Sequence, residues 1–70
     1  MRVEPEEFIG SHAGTVWDAL QDGEKTVRQL KEETGLTRRE VTLALGWLAR
    51  EDKVGVRKPG SYYTFHLDGE

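Results

Sequence analysis

Between Ser11 and Leu20 the apolar residues Ala13, Val16, Trp17 and Leu20 fall at i, i+3, i+4 and i+7. That spacing puts them on one face of an α-helix. Ser11 stands where an N-cap oxygen accepts a backbone N–H. Asp22-Gly23 is a stop, since glycine readily takes the left-handed backbone that follows many helices. A second helix is predicted from Thr26, because Thr26-Val27-Arg28-Gln29 has the form of a capping box, with Val27 and Leu30 as its buried positions and Gly35 as its end. Thr37-Arg38-Arg39-Glu40 repeats the box and opens a third helix running to about Glu51. Leu36 and Val41 are placed for a hydrophobic staple, and Val41, Ala44, Leu45 and Leu48 form the buried stripe.

After Glu51 the period changes from 3.6 to two. Val54 and Val56 alternate with Gly55 and Arg57, and Tyr63, Phe65 and Leu67 alternate with Tyr62, Thr64 and His66. Pro59-Gly60-Ser61 between them is a turn signal. This predicts a β-hairpin with Val54, Val56, Tyr63, Phe65 and Leu67 facing inward, and a short strand at Glu24–Thr26 as a third edge. The fold class is therefore α+β: three helices followed by a hairpin, spanning residues 8–67. Residues 1–7, acidic and interrupted by Pro5, read as a loose arm, and residues 68–70 as a tail. Leu20, Leu30, Leu45, Leu48, Trp17 and Phe65 are the expected core.

Seventy residues make one domain with a small core, and the absence of cysteine removes disulfides and thiolate metal sites. The net charge of −3 is unusual for a nucleic-acid binder, but its distribution is uneven. Residues 1–23 hold one basic residue against five acids, 24–59 hold nine against six, and 60–70 hold none against two. The middle of the chain is basic and the ends acidic. An enzyme is not expected. His12 and His66 lack ligand spacing, Ser11-His12 is a pair of sequence neighbours rather than a triad, and no phosphate-cradling glycine loop is present. Neither a metal nor a cofactor is expected. No secretory signal and no membrane-length apolar run is seen, so a cytoplasmic location without membrane association is the expectation.

The order helix, turn, helix, hairpin across residues 26–67 is that of a winged helix-turn-helix, in which Thr34-Gly35-Leu36 makes the sharp turn and the following helix enters the DNA major groove. Thr34-Gly35-Leu36-Thr37, with Val41, Ala44, Leu45 and Leu48, resembles the helix-turn-helix core of many prokaryotic winged-helix regulators. Leu43-Ala44-Leu45-Gly46-Trp47-Leu48-Ala49-Arg50-Glu51, with Ala13-Gly14-Thr15-Val16-Trp17, resembles a small family of stand-alone prokaryotic winged-helix domains without an assigned activity. The wider resemblance implies DNA binding and a role in transcriptional regulation.

Opposite the buried stripe, the third helix presents Arg39, Leu43, Gly46 and Arg50, with Trp47 on one flank and Arg38 and Thr42 on the other. Two readings stand side by side. In the first, Arg38, Arg39 and Thr42 of the third helix and Arg57 and Lys58 of the wing contact double-stranded DNA. Lys25, Arg28 and Lys31 stand beside Glu32 and Glu33 and read as a solvated face. In the second, Leu43, Gly46, Trp47 and Arg50 form a protein or homodimer interface, because an exposed leucine beside tryptophan suits contact better than base readout, and a helical glycine suggests a close approach. Trp47 has a third option, folding against the wing strands to complete the core.

Overall fold

The computed structural model describes residues 2–68; Met1 of the expected arm and Gly69 and Glu70 of the expected tail lie outside the described residues. The chain forms helix α1 (Pro5–Ala19) continued by a short 3₁₀ turn (Leu20–Asp22), then α2 (Val27–Thr34) and α3 (Arg38–Arg50). Strands β1 (Val54–Arg57) and β2 (Thr64–Leu67) follow as an antiparallel hairpin. This is the α+β winged arrangement that the hydrophobic pattern predicts. The third edge at Glu24–Thr26 is reduced to one bridge, in which the Lys25 and Phe65 backbones exchange N–H···O bonds of 3.0 and 2.8 Å.

The helix starts at α2 and α3 are set by local chemistry. The Gln29 N–H donates to Thr26 Oγ1 at 3.1 Å, and the Thr26 N–H donates back to Gln29 Oε1 at 2.8 Å. The same reciprocal pair joins Glu40 and Thr37, at 3.1 and 3.0 Å. Each box satisfies donors that a helix leaves without intrahelical partners. Between the helices, Gly35 adopts φ +77°, and its N–H closes α2 on the Lys31 carbonyl at 2.9 Å. Leu36 then packs against the core.

Helix α1 departs from the sequence reading. It begins at Pro5, so Pro5–Glu7 of the expected arm form its first turn, and Ser11 is an internal residue whose hydroxyl donates to the Phe8 carbonyl at 3.3 Å. The reason is legible afterwards. Proline at the first helical position sacrifices only an N–H that would have no partner, and Glu6 and Glu7 suit the positive end of the helix dipole.

The core is one cluster: Ala13, Val16 and Leu20 from α1 and its continuation, Leu30 from α2, Val41, Ala44, Leu45 and Leu48 from α3, and Val54 from β1. Phe65 and Leu67 pack on it from β2. Three positions expected inside are instead exposed. Trp17 lies at the edge of the α1 stripe, and Val56 and Tyr63 lie where the hairpin's inner face runs past the helices that would cover it. Across the strands Gly55 pairs with His66, and a Cβ at Gly55 would stand 2.5 Å from the imidazole Nε2, so glycine makes room for the ring.

The end of α3 is a Schellman motif built on a non-glycine residue. The Lys53 N–H donates to the Leu48 carbonyl at 2.9 Å and the Asp52 N–H to the Ala49 carbonyl at 3.0 Å, with Asp52 at φ 60°. A Cβ is unfavourable there. Asp52→Gly is expected to stabilise the domain by about 0.5–1 kcal/mol, and Asp52→Ala to give no such gain. Urea denaturation of the three proteins checks this; an unchanged or lower midpoint for the glycine variant would contradict it.

Candidate nucleic-acid interface

The five residues expected to meet DNA lie on α3 and the wing, and the structure treats them unequally. Arg38 and Arg39 occupy the first two positions of α3, both exposed, and neither pairs with a carboxylate among the described residues. Two cations at the positive end of a helix dipole are electrostatically unfavourable for the fold itself. Thr42 is exposed one turn later, its hydroxyl donating to the Arg38 carbonyl at 2.8 Å.

In the wing, Arg57 is already engaged. Its Nη1 donates to Glu24 Oε1 at 2.9 Å, while the Thr64 hydroxyl donates to Glu24 Oε2 at 2.6 Å. Glu24, which the sequence reading passed over, thus ties the segment before α2 to both strands of the wing. Lys58 stands with its ammonium 5.5 Å from the centre of the Tyr63 ring, a cation–π distance.

A groove of about 620 Å³ opens between α2 and the wing. It is lined by Thr26, Val27, Arg28 and Gln29 on one side, Arg38 at its end, and Ser61, Tyr62 and Tyr63 on the other. Arg28, read from sequence as part of a solvated face, therefore shares a groove with Arg38. The spacing alone carried no signal of this, because the two meet only when α2 and α3 cross.

The residues expected at a protein interface lie around the other flank of α3. Leu43 is 41% exposed, and Gly46 and Arg50 are exposed. A Cβ at Gly46 would meet nothing within 4 Å, so among the described residues nothing makes the close approach that the glycine suggests. Trp47 is half-buried against the core. With Leu48, Glu51 and Lys53 it lines a groove of about 370 Å³ shared with Gly10, Ala13, Gly14 and Trp17. The signal for the α1 side was present as Gly10, Gly14 and Trp17 at i, i+4 and i+7, a stripe offset from the buried one.

Lys25 is buried, held by the carboxylates of Asp22 and, at 3.7 Å, Glu33. Its hydrogen bond to Asp22 raises the Lys25 pKa and lowers that of Asp22. The Thr64 hydroxyl first, then Arg57, lowers the Glu24 pKa, and the Thr37 backbone N–H lowers that of Glu40. Carboxyls with depressed folded-state pKa values stabilise the fold above the ordinary carboxyl range of about 4 and lose that contribution as pH falls through their folded values. The urea midpoint is therefore expected to fall steadily below about pH 4.5, and less steeply in Glu24→Gln. A midpoint flat down to about pH 3 would contradict the three anchored carboxylates.

Among the described residues no helix is long and apolar enough to cross a membrane, and no group of three His, Asp or Glu side chains is placed to hold a metal ion.

A family model described as "Winged helix-turn-helix domain (DUF2582)" matches residues 3–67. An uncharacterised protein of Methanocaldococcus jannaschii, MJ1608, is 37% identical over 62 residues, covering 84% of this chain and 89% of its own length. The solution structure of BT2368 from Bacteroides thetaiotaomicron superposes with a TM-score of 0.84 at 29% identity, over 91% of this chain and 79% of that one. The transcriptional regulator HlyU of Vibrio vulnificus shares the fold, with a TM-score of 0.79 at 23% identity over 86% of this chain and 62% of its own.

Proposed function

This chain belongs to the winged helix-turn-helix domain family DUF2582, and from that premise we propose that it binds double-stranded DNA as a regulatory module, with α3 as recognition helix and the hairpin as wing. The observation that carries the reading is the Arg38–Arg39 pair. Two exposed arginines, paired with no carboxylate among the described residues, stand at the capped start of the third helix, where they disfavour the helix and where recognition helices meet bases or phosphates. Thr42 extends the same face. Arg57 and Lys58 supply the wing contacts, with Arg57 steadied by Glu24.

Four cations on four phosphates give a slope of log K against log salt near −3.6, so affinity falls on the order of a hundredfold between about 50 and about 200 mM salt. Titrating isotope-labelled protein with a mixed-sequence duplex at both salts, and following backbone amides by NMR, tests this. Shifts centred on Arg38–Arg50 and Arg57–Ser61 that vanish at the higher salt are expected. An absence of shifts at the lower salt would overturn the reading.

A second reading, protein interaction or homodimerisation through Leu43, Gly46, Trp47 and Arg50, is favoured by the exposure of Leu43 and by the groove that Trp47 shares with Trp17. Such association depends weakly on salt and is lost in Leu43→Glu or Trp47→Glu. Sedimentation of the wild type and these variants tests it; a dimer that survives the substitutions counts against it.

A further inference from the structure

The groove between α2 and the wing carries aromatic faces that duplex readout does not use. Tyr62 and Tyr63 are consecutive, 73% and 59% exposed, and both line it. Phenol rings so exposed contribute little to the core; their hydroxyls suit a duplex phosphate, but their flat faces find no partner along a stacked duplex. Inside a duplex each base is stacked on its neighbours, so a protein ring can stack only on a base that is unpaired or at an end. Across from the tyrosines stand Arg28 and Arg38, one from each of the two helices, so the groove joins aromatic faces to guanidinium groups. Arg28 meets Glu32 only at 3.6 Å between two well-exposed side chains, a weak tie that a phosphate can replace. Lys58, over Tyr63, adds a cation at the outer rim. The volume, about 620 Å³, lies within the range of sites that hold a small organic ligand.

We infer that this groove is a stacking site for an unpaired nucleotide: Tyr62 and Tyr63 take the base, and Arg28 and Arg38 take the flanking phosphates. The inference rests on the DNA-binding reading and adds a substrate preference to it. The protein favours duplex DNA that carries a single-stranded extension or a melted step beside the bound segment. While α3 holds the duplex, the wing groove holds the first unpaired base.

The test compares a short blunt duplex with the same duplex carrying a single-stranded overhang of a few nucleotides. Fluorescence anisotropy reads affinity, and 2-aminopurine at the first overhang position reads stacking by quenching. The wild type is expected to bind the overhang substrate at least about fivefold more tightly, since one base–aromatic stack corresponds to about 5- to 160-fold in affinity. The double variant Tyr62→Ala/Tyr63→Ala is expected to bind both substrates equally, with the quenching gone. Both side chains are exposed, so circular dichroism is expected to match the wild type. Tyr62→Phe/Tyr63→Phe keeps the ring faces and is expected to keep the preference. Equal wild-type affinity for the two substrates, with salt-dependent binding intact, overturns the stacking site and leaves the DNA-binding reading standing. An overhang preference that survives the alanine variant also overturns it. Failure to bind either substrate at low salt removes both readings together.

Discussion

Leu30→Ala is expected to lower the stability of the domain by about 2–5 kcal/mol. Leu30 is fully buried in α2, within the cluster that joins the three helices to β1. Truncation removes transfer free energy and leaves a cavity that helices fixed by two capping boxes and a glycine turn cannot readily close. A chain of this length is stable by about 4–10 kcal/mol in total, so the loss consumes a large share. The urea midpoint is expected to drop sharply, with partial loss of helical circular dichroism at 25 °C in the absence of denaturant if the starting stability is at the lower end. Leu43→Ala is the matched control: it removes the same atoms from a 41% exposed site and is expected to cost about 0.5 kcal/mol or less. Equal losses for the two variants would mean that the core is not centred where the structure puts it.

Features encoded within a few residues of one another were legible in the sequence. Both capping boxes, the Gly35 turn and the α3 stripe depend on separations of three to seven residues, and each forms as its spacing predicts. The strand alternation was legible too: Val54 pairs with Leu67 and Val56 with Phe65, putting the expected residues on one face. Alternation defines a face but not how far its cover extends, which is why Val56 and Tyr63 share the inner face and remain exposed. Trp17 fails for a related reason. A helical stripe gives an angle, while burial needs a neighbour at that angle, and Trp17 sits at the margin between Val16, which is buried, and the Trp47 groove. Pro5 and the glutamates after it, which suggest a loose arm, are a helix start. The candidate site is legible only in part. Arg38 and Arg39 are conspicuous because they oppose a local electrostatic rule. The Glu24–Arg57 pair and the Arg28–Arg38–Tyr62 groove join residues far apart in sequence, and no short-range pattern announces them.

Arg38→Glu/Arg39→Glu separates function from fold because the two respond in opposite directions. At the first two positions of α3 the arginines face the positive end of the helix dipole, so glutamates in their place relieve a repulsion and add an attraction. The Thr37–Glu40 box uses neither side chain and is expected to persist. The melting temperature of the double variant is therefore expected to equal or exceed that of the wild type by a few degrees. DNA affinity is expected to move the other way. Two phosphate contacts are lost and two repulsions gained, which lowers affinity at about 50 mM salt on the order of a hundredfold or more and makes the slope of log K against log salt shallower by about 2. Thermal melts and anisotropy titrations at several salt concentrations read both quantities on the same preparations. A variant that melts higher and no longer binds would assign the pair to nucleic acid, since a structural role would have cost stability. A variant that melts higher and binds DNA as before would place the contact surface away from the start of α3, and the Leu43–Trp47 flank would then be the face to test.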